Sequence, residues 1–235
     1  MDNHTELLNK LKEWGATFIG CSRVDEYLDN SLKPLKYAIT VGIRLSDSII
    51  NEITDGPTYT YFHHYRTVNT LIDQITLKGL LYIQERGYNA LAVPASQTVH
   101  NVGVEYSGIF SHKIAAVKAG LGWIGKSNLF IHKDYGPRVR LGTLLTDMEL
   151  PVSVDVEIKE ACGNCKKCVE SCPAMALTGN AWYLGCERKH ILDPRACSEY
   201  LNDKFKLIGR GSVCGICIKV CPVGGRQVAS SSVHE

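Results

Sequence analysis

The chain has 235 residues, 45% of them hydrophobic, ten cysteines and a formal net charge of +2. That length supports one sizeable core with or without a small module beside it, and the charge is too near neutral to advertise a nucleic-acid surface. The opening Met1-Asp2-Asn3-His4-Thr5-Glu6 has no basic stretch leading into an apolar one and no twin arginine, and no apolar run reaches membrane-spanning length. A cytoplasmic protein with no membrane partner is expected, and there ten cysteines point to metal or redox chemistry rather than disulfides.

Leu7, Leu8, Leu11 and Trp14 recur at helical spacing over 5–14, with Gly15 as the stop. Residues 16–21 and 37–45 read as strands. A long helix is predicted over 61–86, with Val68, Leu71, Ile72, Ile75 and Leu80 on its apolar face and Gly87 at its end. A short strand over 89–93 stops at Pro94, and a helix over 108–119 is closed by Gly120. Residues 129–132 and 138–146 look like a strand pair joined through Lys133-Asp134-Tyr135-Gly136-Pro137. Strands and helices mix without strict alternation, so the class is α+β. From about 155 the pattern breaks into short cysteine-rich turns. The expected organisation is a cofactor- and substrate-binding domain over 1–154, a double-cluster module over 155–226 and a disordered tail over 227–235.

The most informative stretch is Cys162-x-x-Cys165-x-x-Cys168-x-x-x-Cys172-Pro173. This is the bacterial ferredoxin spacing, in which three thiolates hold one [4Fe–4S] cube and the fourth, before proline, turns to a different cluster. The partner run is Cys214-x-x-Cys217-x-x-x-Cys221-Pro222, one cysteine short because Gly211 stands where a full copy needs Cys. The swap rule assigns Cys162, Cys165, Cys168 and Cys221 to one cube. Cys172, Cys214, Cys217 and either Cys197 or Cys186 hold the other, and spacing does not choose between those two. Structural zinc needs no third Cys two residues on and no Cys-Pro ending. A simple electron carrier needs only such a module, so the front domain is expected to bind a cofactor, a substrate or a partner protein.

Several front residues carry polar chemistry. Ala119-Gly120-Leu121-Gly122-Trp123-Ile124-Gly125-Lys126-Ser127 contains Gly-x-Gly-x-x-Gly, but it follows a predicted helix and precedes a strand, the reverse of a dinucleotide fingerprint. It suits a close-packed turn or backbone amides facing a flat cofactor. His63 and His64, beside Tyr61, Phe62, Tyr65 and Arg66, are a group that could line a substrate mouth, with the mixed first turn of a helix as the plain alternative. His112, Lys113, Arg138 and Arg140 are candidates for anionic or amide groups, with a solvated face as the plain alternative. Cys21 reads as a buried core thiol. Lys166, Lys167 and Lys219 flank the cysteines, where they would raise cluster potentials or dock an acidic donor.

The chain resembles the epoxyqueuosine reductases and, more distantly, the reductive dehalogenases. The resemblance rests on Ala119 to Lys126, on Leu141-Gly142 with Leu145-Thr146-Asp147, on the first cysteine run, on Leu192-Asp193 through Cys197, Tyr200 and Leu201, and on the closing run to Pro222. It covers about 35–222. The resemblance selects Cys197 as the eighth ligand. It implies a nitroreductase-like α+β domain holding cobalamin, lined by Gly120, Gly122, Gly125, Lys126, Ser127, Gly142 and Tyr200. It also implies a ferredoxin- or flavodoxin-type electron donor and a small-molecule or modified-nucleoside substrate. Two departures stand out. The family's helical repeats after the clusters have no counterpart, which weakens a tRNA substrate. The acidic proton donor of the tRNA-modifying enzymes aligns with Tyr106, with Glu105 beside it. Tyrosine is the acid in dehalogenases of the wider group, so the resemblance makes Tyr106 a candidate proton donor and Glu105 the alternate, with an aromatic that merely packs near a loop as the plain reading. The rival readings are flavin in place of cobalamin, and a non-catalytic electron-transfer or activating protein for a corrinoid or other redox enzyme.

Overall fold

The element that organises the front of the chain is β6 (Val139–Thr146), buried along seven of its eight positions. A strand covered on both faces must be central, and β6 lies between β2 (Tyr37–Arg44) and β3 (Ala90–Val93) in a sheet ordered β1-β2-β6-β3, with β1 (Phe18–Arg23) at the edge. All three pairings are antiparallel. This is a computed structural model, and it describes residues 3–97, 106–152, 160–209 and 213–225. Glu105, Gly211, the expected boundary at 154–155 and the expected tail over 227–235 lie outside the described residues.

Helix α3 (Tyr59–Glu85) crosses one face of the sheet, and α1 (Asn3–Glu13) packs Leu7 and Leu11 into the same core. Thr58 caps α3 by accepting from the Tyr61 amide. Close approach is possible because β6 carries Gly142 there: a Cβ at that position would sit 2.3 Å from Ile72 Cγ2. The short α2 (Asp47–Asn51) follows β2, and α4 (His112–Lys118) lies on the opposite side of the sheet from α3, burying Ala115 against Val24 and Leu145.

The expected pairing of 129–132 with 138–146 is corrected. β5 (Phe130–His132) pairs with β4 (Gly122–Ile124) in a separate two-stranded sheet. Three residues cannot cover an eight-residue central strand, which instead pairs along its whole length with β2. Gly122 makes the small hairpin possible, since a Cβ there would overlap the Ile131 carbonyl oxygen.

The cysteine-rich segment contributes α5 (Lys167–Glu170), α6 (Pro194–Phe205) and α7 (Ile216–Lys219). Asp193 caps α6 by accepting from the Arg195 and Ala196 amides, and Pro194 occupies its first turn. Val213, Ile216 and Ile218 enter the same core as α1 and α3, so the second cysteine run is anchored in the front of the protein. Among the described residues no helix is long and apolar enough to cross a membrane.

Candidate cluster and cofactor site

The fold draws the cysteines into two neighbouring groups. The Cys168 thiol feels Cys221 and Cys165, and Cys221 feels Cys162 and Cys165. Cys197 feels Cys172 and Cys214, and Cys217 feels Cys214, Cys172 and Cys197. The groups adjoin, because Cys217 also feels Cys168. Cys186 is elsewhere, in a cavity of about 150 Å³ with Lys113, Asn128, Trp182 and Arg188. All ten cysteines are unbridged. Among the described residues no three His, Cys, Asp or Glu side chains close to the dimensions of one metal ion.

Burial pushes the Cys197 thiol up to about 11 and the Cys217 thiol up to about 12, with neighbouring cysteines adding to the effect. Such thiols ionise only beside a strong positive charge. Iron supplies it, since metal ligation deprotonates cysteine. A half-buried cysteine quartet therefore fits a bound iron–sulfur cube. Cys21 is half-buried in β1 and is also raised to about 12 by burial, with no cysteine partner.

The glycine loop serves the cysteines and the hairpin. Gly120 closes α4 with φ +70°. Gly122 faces the Ile131 backbone, and Gly125 faces the Cys162 sulfur, which a Cβ would approach to 3.1 Å. Lys126 is only 7% exposed, and its Nζ donates to the Gly163 and Cys165 carbonyls. Buried Ser127 accepts from the Leu129 amide. Gly142 faces α3. Tyr200 lies on α6 with its ring edge-on to Phe205.

A cleft opens beside the second cysteine group. One cavity, about 650 Å³, lies between α3 and the turn after α6, lined by Tyr65, Asn69, Asp73 and Ser96. Ser96 also lines an adjoining cavity of about 380 Å³ with Tyr106, His112, Lys113 and Arg140. A third, about 130 Å³, shares His112, Lys113 and Arg140 and has Ile218, next to Cys217, in its wall. Of the residues expected to touch a cofactor or substrate, Tyr106, His112, Lys113 and Arg140 line these cavities, and Gly120, Gly122, Gly125, Lys126, Ser127, Gly142 and Tyr200 do not. Tyr65, with Phe62 and Arg66 from the aromatic stretch around His63 and His64, lines the first of these cavities, whereas Asn69 and Ser96 escaped sequence reasoning because no motif joins them and the fold brings them together from α3 and the segment after β3.

Arg140 is the hub of the cleft. It donates from Nε to Asn69 Oδ1 at 2.8 Å and from Nη2 to the Ala95 carbonyl at 3.2 Å, and stacks over Tyr65. Burial works to raise the Tyr65 hydroxyl, but Arg140 and hydrogen bonds from Ser96, Asn69 and Arg140 hold it below the usual tyrosine range. Behind it, buried Tyr61 feels both Arg140 and Cys214, linking the cleft to the second cysteine group. Arg138 points away and bonds to Asp47 and Asn51. Tyr106 is 37% exposed, with φ +59° and its carbonyl accepting from Arg188 at 2.7 Å. A left-handed tyrosine is uncommon enough to mark a constrained position. His63 is exposed, and half-buried His64 accepts from the Ser46 amide.

Two titrating groups wall the cleft. Burial depresses Lys113 to about 8, and its Nζ donates to the Asn128 carbonyl at 2.8 Å. Burial pulls His112 down to about 4, with Arg140 adding to the effect and the Pro94 carbonyl and Asp73 opposing it. Because that carbonyl accepts from Nε2, Nδ1 must accept from the Thr143 hydroxyl. A histidine held neutral in the fold but free to protonate when unfolded stabilises the protein above the unfolded pKa near 6.5. That stability falls as pH drops from 6.5 toward 4. Urea titrations are expected to show this decline, and His112→Gln to flatten it.

The geometry agrees with comparison to known proteins. Residues 161–224 match the 4Fe–4S double cluster binding domain. The double-cluster domain thus includes all eight cysteines of the two groups. The chain is 38% identical over 120 residues to the epoxyqueuosine reductase of Pseudomonas aeruginosa, an alignment covering 47% of this chain and 30% of that enzyme. It spans less than a third of the length of the first such relatives. The structure of epoxyqueuosine reductase from Streptococcus thermophilus superposes with a TM-score of 0.60 at 21% identity, covering 95% of this chain and 66% of that one. A reductive dehalogenase structure, described as suggesting a mechanism for B12-dependent dehalogenation, gives a TM-score of 0.67 at 22% identity, covering 94% of this chain and 32% of that one. At these identities the superpositions establish a shared fold.

Proposed function

We propose that this chain is an iron–sulfur reductase in which two [4Fe–4S] clusters feed a cobalamin held in the cleft, with Tyr106 as proton donor to a reduced substrate. The observation that carries this reading is the contact of the cleft with the second cysteine group, through Ile218 next to Cys217 and through Tyr61 beside Cys214. Cys162, Cys165, Cys168 and Cys221 hold one cube, and Cys172, Cys197, Cys214 and Cys217 the other. The front of the chain, of nitroreductase-like build, holds the cofactor. Cavities of about 650 and 380 Å³ that share Ser96 fall in the range of cofactor sites, and a described relative of the fold is B12-dependent.

The residues present suit an amide-rimmed, flat cofactor. Asn69, Ser96 and Arg140 supply side-chain hydrogen bonds, and Tyr65 an aromatic wall. Cobalamin, when bound, supplies a metal-centred reductant. The chain's part is to bind it, keep Arg140 fixed through Asn69 and Ala95, and present the Tyr106 hydroxyl to the substrate. Electrons enter from a ferredoxin- or flavodoxin-type donor. The substrate is a small molecule or a modified nucleoside, the range spanned by relatives seen with 3-bromo-4-hydroxybenzoic acid and with an epoxyqueuosine-modified tRNA stem loop.

The test is retention. Anaerobically reconstituted protein mixed with cobalamin and passed over gel filtration is expected to carry about one cobalt per chain. Elution without cobalt, or with bound flavin, overturns the cofactor assignment.

A further inference from the structure

Lys126 carries a buried charge that no carboxylate balances. It is 7% exposed, and its Nζ donates to two main-chain carbonyls, of Gly163 at 2.5 Å and of Cys165 at 3.4 Å. Among the described residues no ion pair includes it. Glu160, at the start of the same turn, accepts from the Cys162 amide at 2.7 Å. Taking an ammonium out of water carries a large desolvation penalty, of which carbonyl dipoles recover only part. A buried cation so placed calls for an anion nearby.

What surrounds the ammonium is the turn that carries two cysteines of the first run. Lys126 follows Gly125, where a Cβ would lie 3.1 Å from the Cys162 sulfur. The glycine loop is fixed, because the Gly125 amide donates to the Leu129 carbonyl at 3.0 Å and its carbonyl accepts from the Asn128 amide at 2.8 Å. The facing turn is closed by the Cys165 amide donating to the Cys162 carbonyl at 2.9 Å, with Gly163 left-handed at φ +49°. Lys126 therefore joins two hydrogen-bonded turns, with its charge held against the main chain of the Cys162–Cys165 turn. Lys166 and Lys167, the cations that follow Cys165 in sequence, are exposed, where water and salt screen them.

We infer that Lys126 is a positioning residue for the Cys162/Cys165/Cys168/Cys221 cluster, tying the Cys162–Cys165 turn to the glycine loop and placing a buried positive charge beside the cube. The inference rests on the two-cluster reading above. A cube held by four thiolates is an anion, and reduction adds one more negative charge to it. The ammonium is the counter-charge. It stabilises the reduced cube more than the oxidised one, which raises the reduction potential. In each cycle the cube accepts one electron from the external donor and passes that electron on, with no bond made or broken and no proton moved. Lys126 thus serves the electron supply and not the wall of the cofactor cleft, none of whose cavities it lines.

The experiment is an anaerobic redox titration with dithionite, read by electron paramagnetic resonance, on the wild type, Lys126→Met, Lys126→Gln and Lys126→Arg. Methionine removes the charge and the donors, glutamine removes the charge and keeps an N–H, and arginine keeps both. With about eight irons per chain in each sample, the two neutral variants are expected to lower one midpoint. The reduced-to-oxidised ratio at fixed potential falls about tenfold, or 59 mV for a one-electron couple. Lys126→Arg stays near the wild type, and the other midpoint does not move. The same fall is expected in a Cys197→Ser background, where the cube that remains is the one beside Lys126. Lys167→Met, the exposed control, shifts the midpoint far less. Loss of one cube in both neutral variants, with both cubes kept in Lys126→Arg, also upholds the inference, because the cube then needs the charge. Loss of a cube in all three, filled cubes with neither midpoint moved, or an equal fall from Lys167→Met overturns it. About four irons per chain in the wild type overturns the two-cluster reading beneath it.

Discussion

Cys197→Ser is expected to halve the iron content, from about eight to about four per chain after anaerobic reconstitution, while Cys186→Ser leaves it at eight. The two cysteines lie eleven residues apart in the sequence and are equal candidates by spacing. The fold separates them. Cys197 sits in the first turn of α6, where its amide donates to the carbonyl of the capping residue Asp193, and its thiol faces Cys172 and Cys214. Cys186 belongs to the cavity with Trp182 and Arg188 and interacts with Lys113. A serine oxygen is a poor substitute for thiolate at iron, which favours sulfur. Losing one corner of the cube leaves Cys214 and Cys217, whose burial favours the neutral thiol, without the iron charge that keeps them ionised. The surviving cube keeps Cys162, Cys165, Cys168 and Cys221. Retention of eight irons in Cys197→Ser, or loss of four in Cys186→Ser, contradicts the ligand set.

Tyr106→Phe is expected to lower reductive turnover by roughly 10²–10⁴-fold, the usual contribution of a positioned acid, with iron and cobalamin content unchanged. The probes are the two ligand types seen in related structures, 3-bromo-4-hydroxybenzoate and an epoxyqueuosine-bearing stem loop, with turnover measured on the one that is reduced. Tyr106 lines the same cavity as Arg140, and its backbone is fixed by the Arg188 hydrogen bond to its carbonyl. That bond does not involve the hydroxyl, so phenylalanine preserves the anchoring and removes only the proton. A variant that turns over like the wild type removes Tyr106 from the acid role.

The cluster chemistry is legible because thiolate ligation imposes fixed short spacings on consecutive residues. Cys162 through Cys172 and Cys214 through Cys221 need no tertiary information. Cys197 does, since its place in the second quartet is created by α6 folding back on the segment that holds Cys172 and Cys214. The long elements are legible too. The helix α3 and the strand β2 coincide with their expected spans within two residues, and Val68, Ile72 and Ile75 of the expected stripe are buried, whereas Leu71 faces solvent. Strand pairing is not, because β5 and β6 are adjacent in sequence and both apolar. What separates them is burial of β6 on both faces and the missing side chain at Gly122, which admits β4. The cleft is least legible of all. Tyr65, Ser96, Tyr106 and Arg140 carry no shared motif, and only the sheet and α3 bring them to one wall.

Native mass spectrometry after anaerobic reconstitution with iron, sulfide and cobalamin tests the account most directly. It is expected to show one chain carrying two four-iron cubes and one corrinoid. A chain carrying one cube, zinc in place of iron, or two cubes with no corrinoid contradicts it.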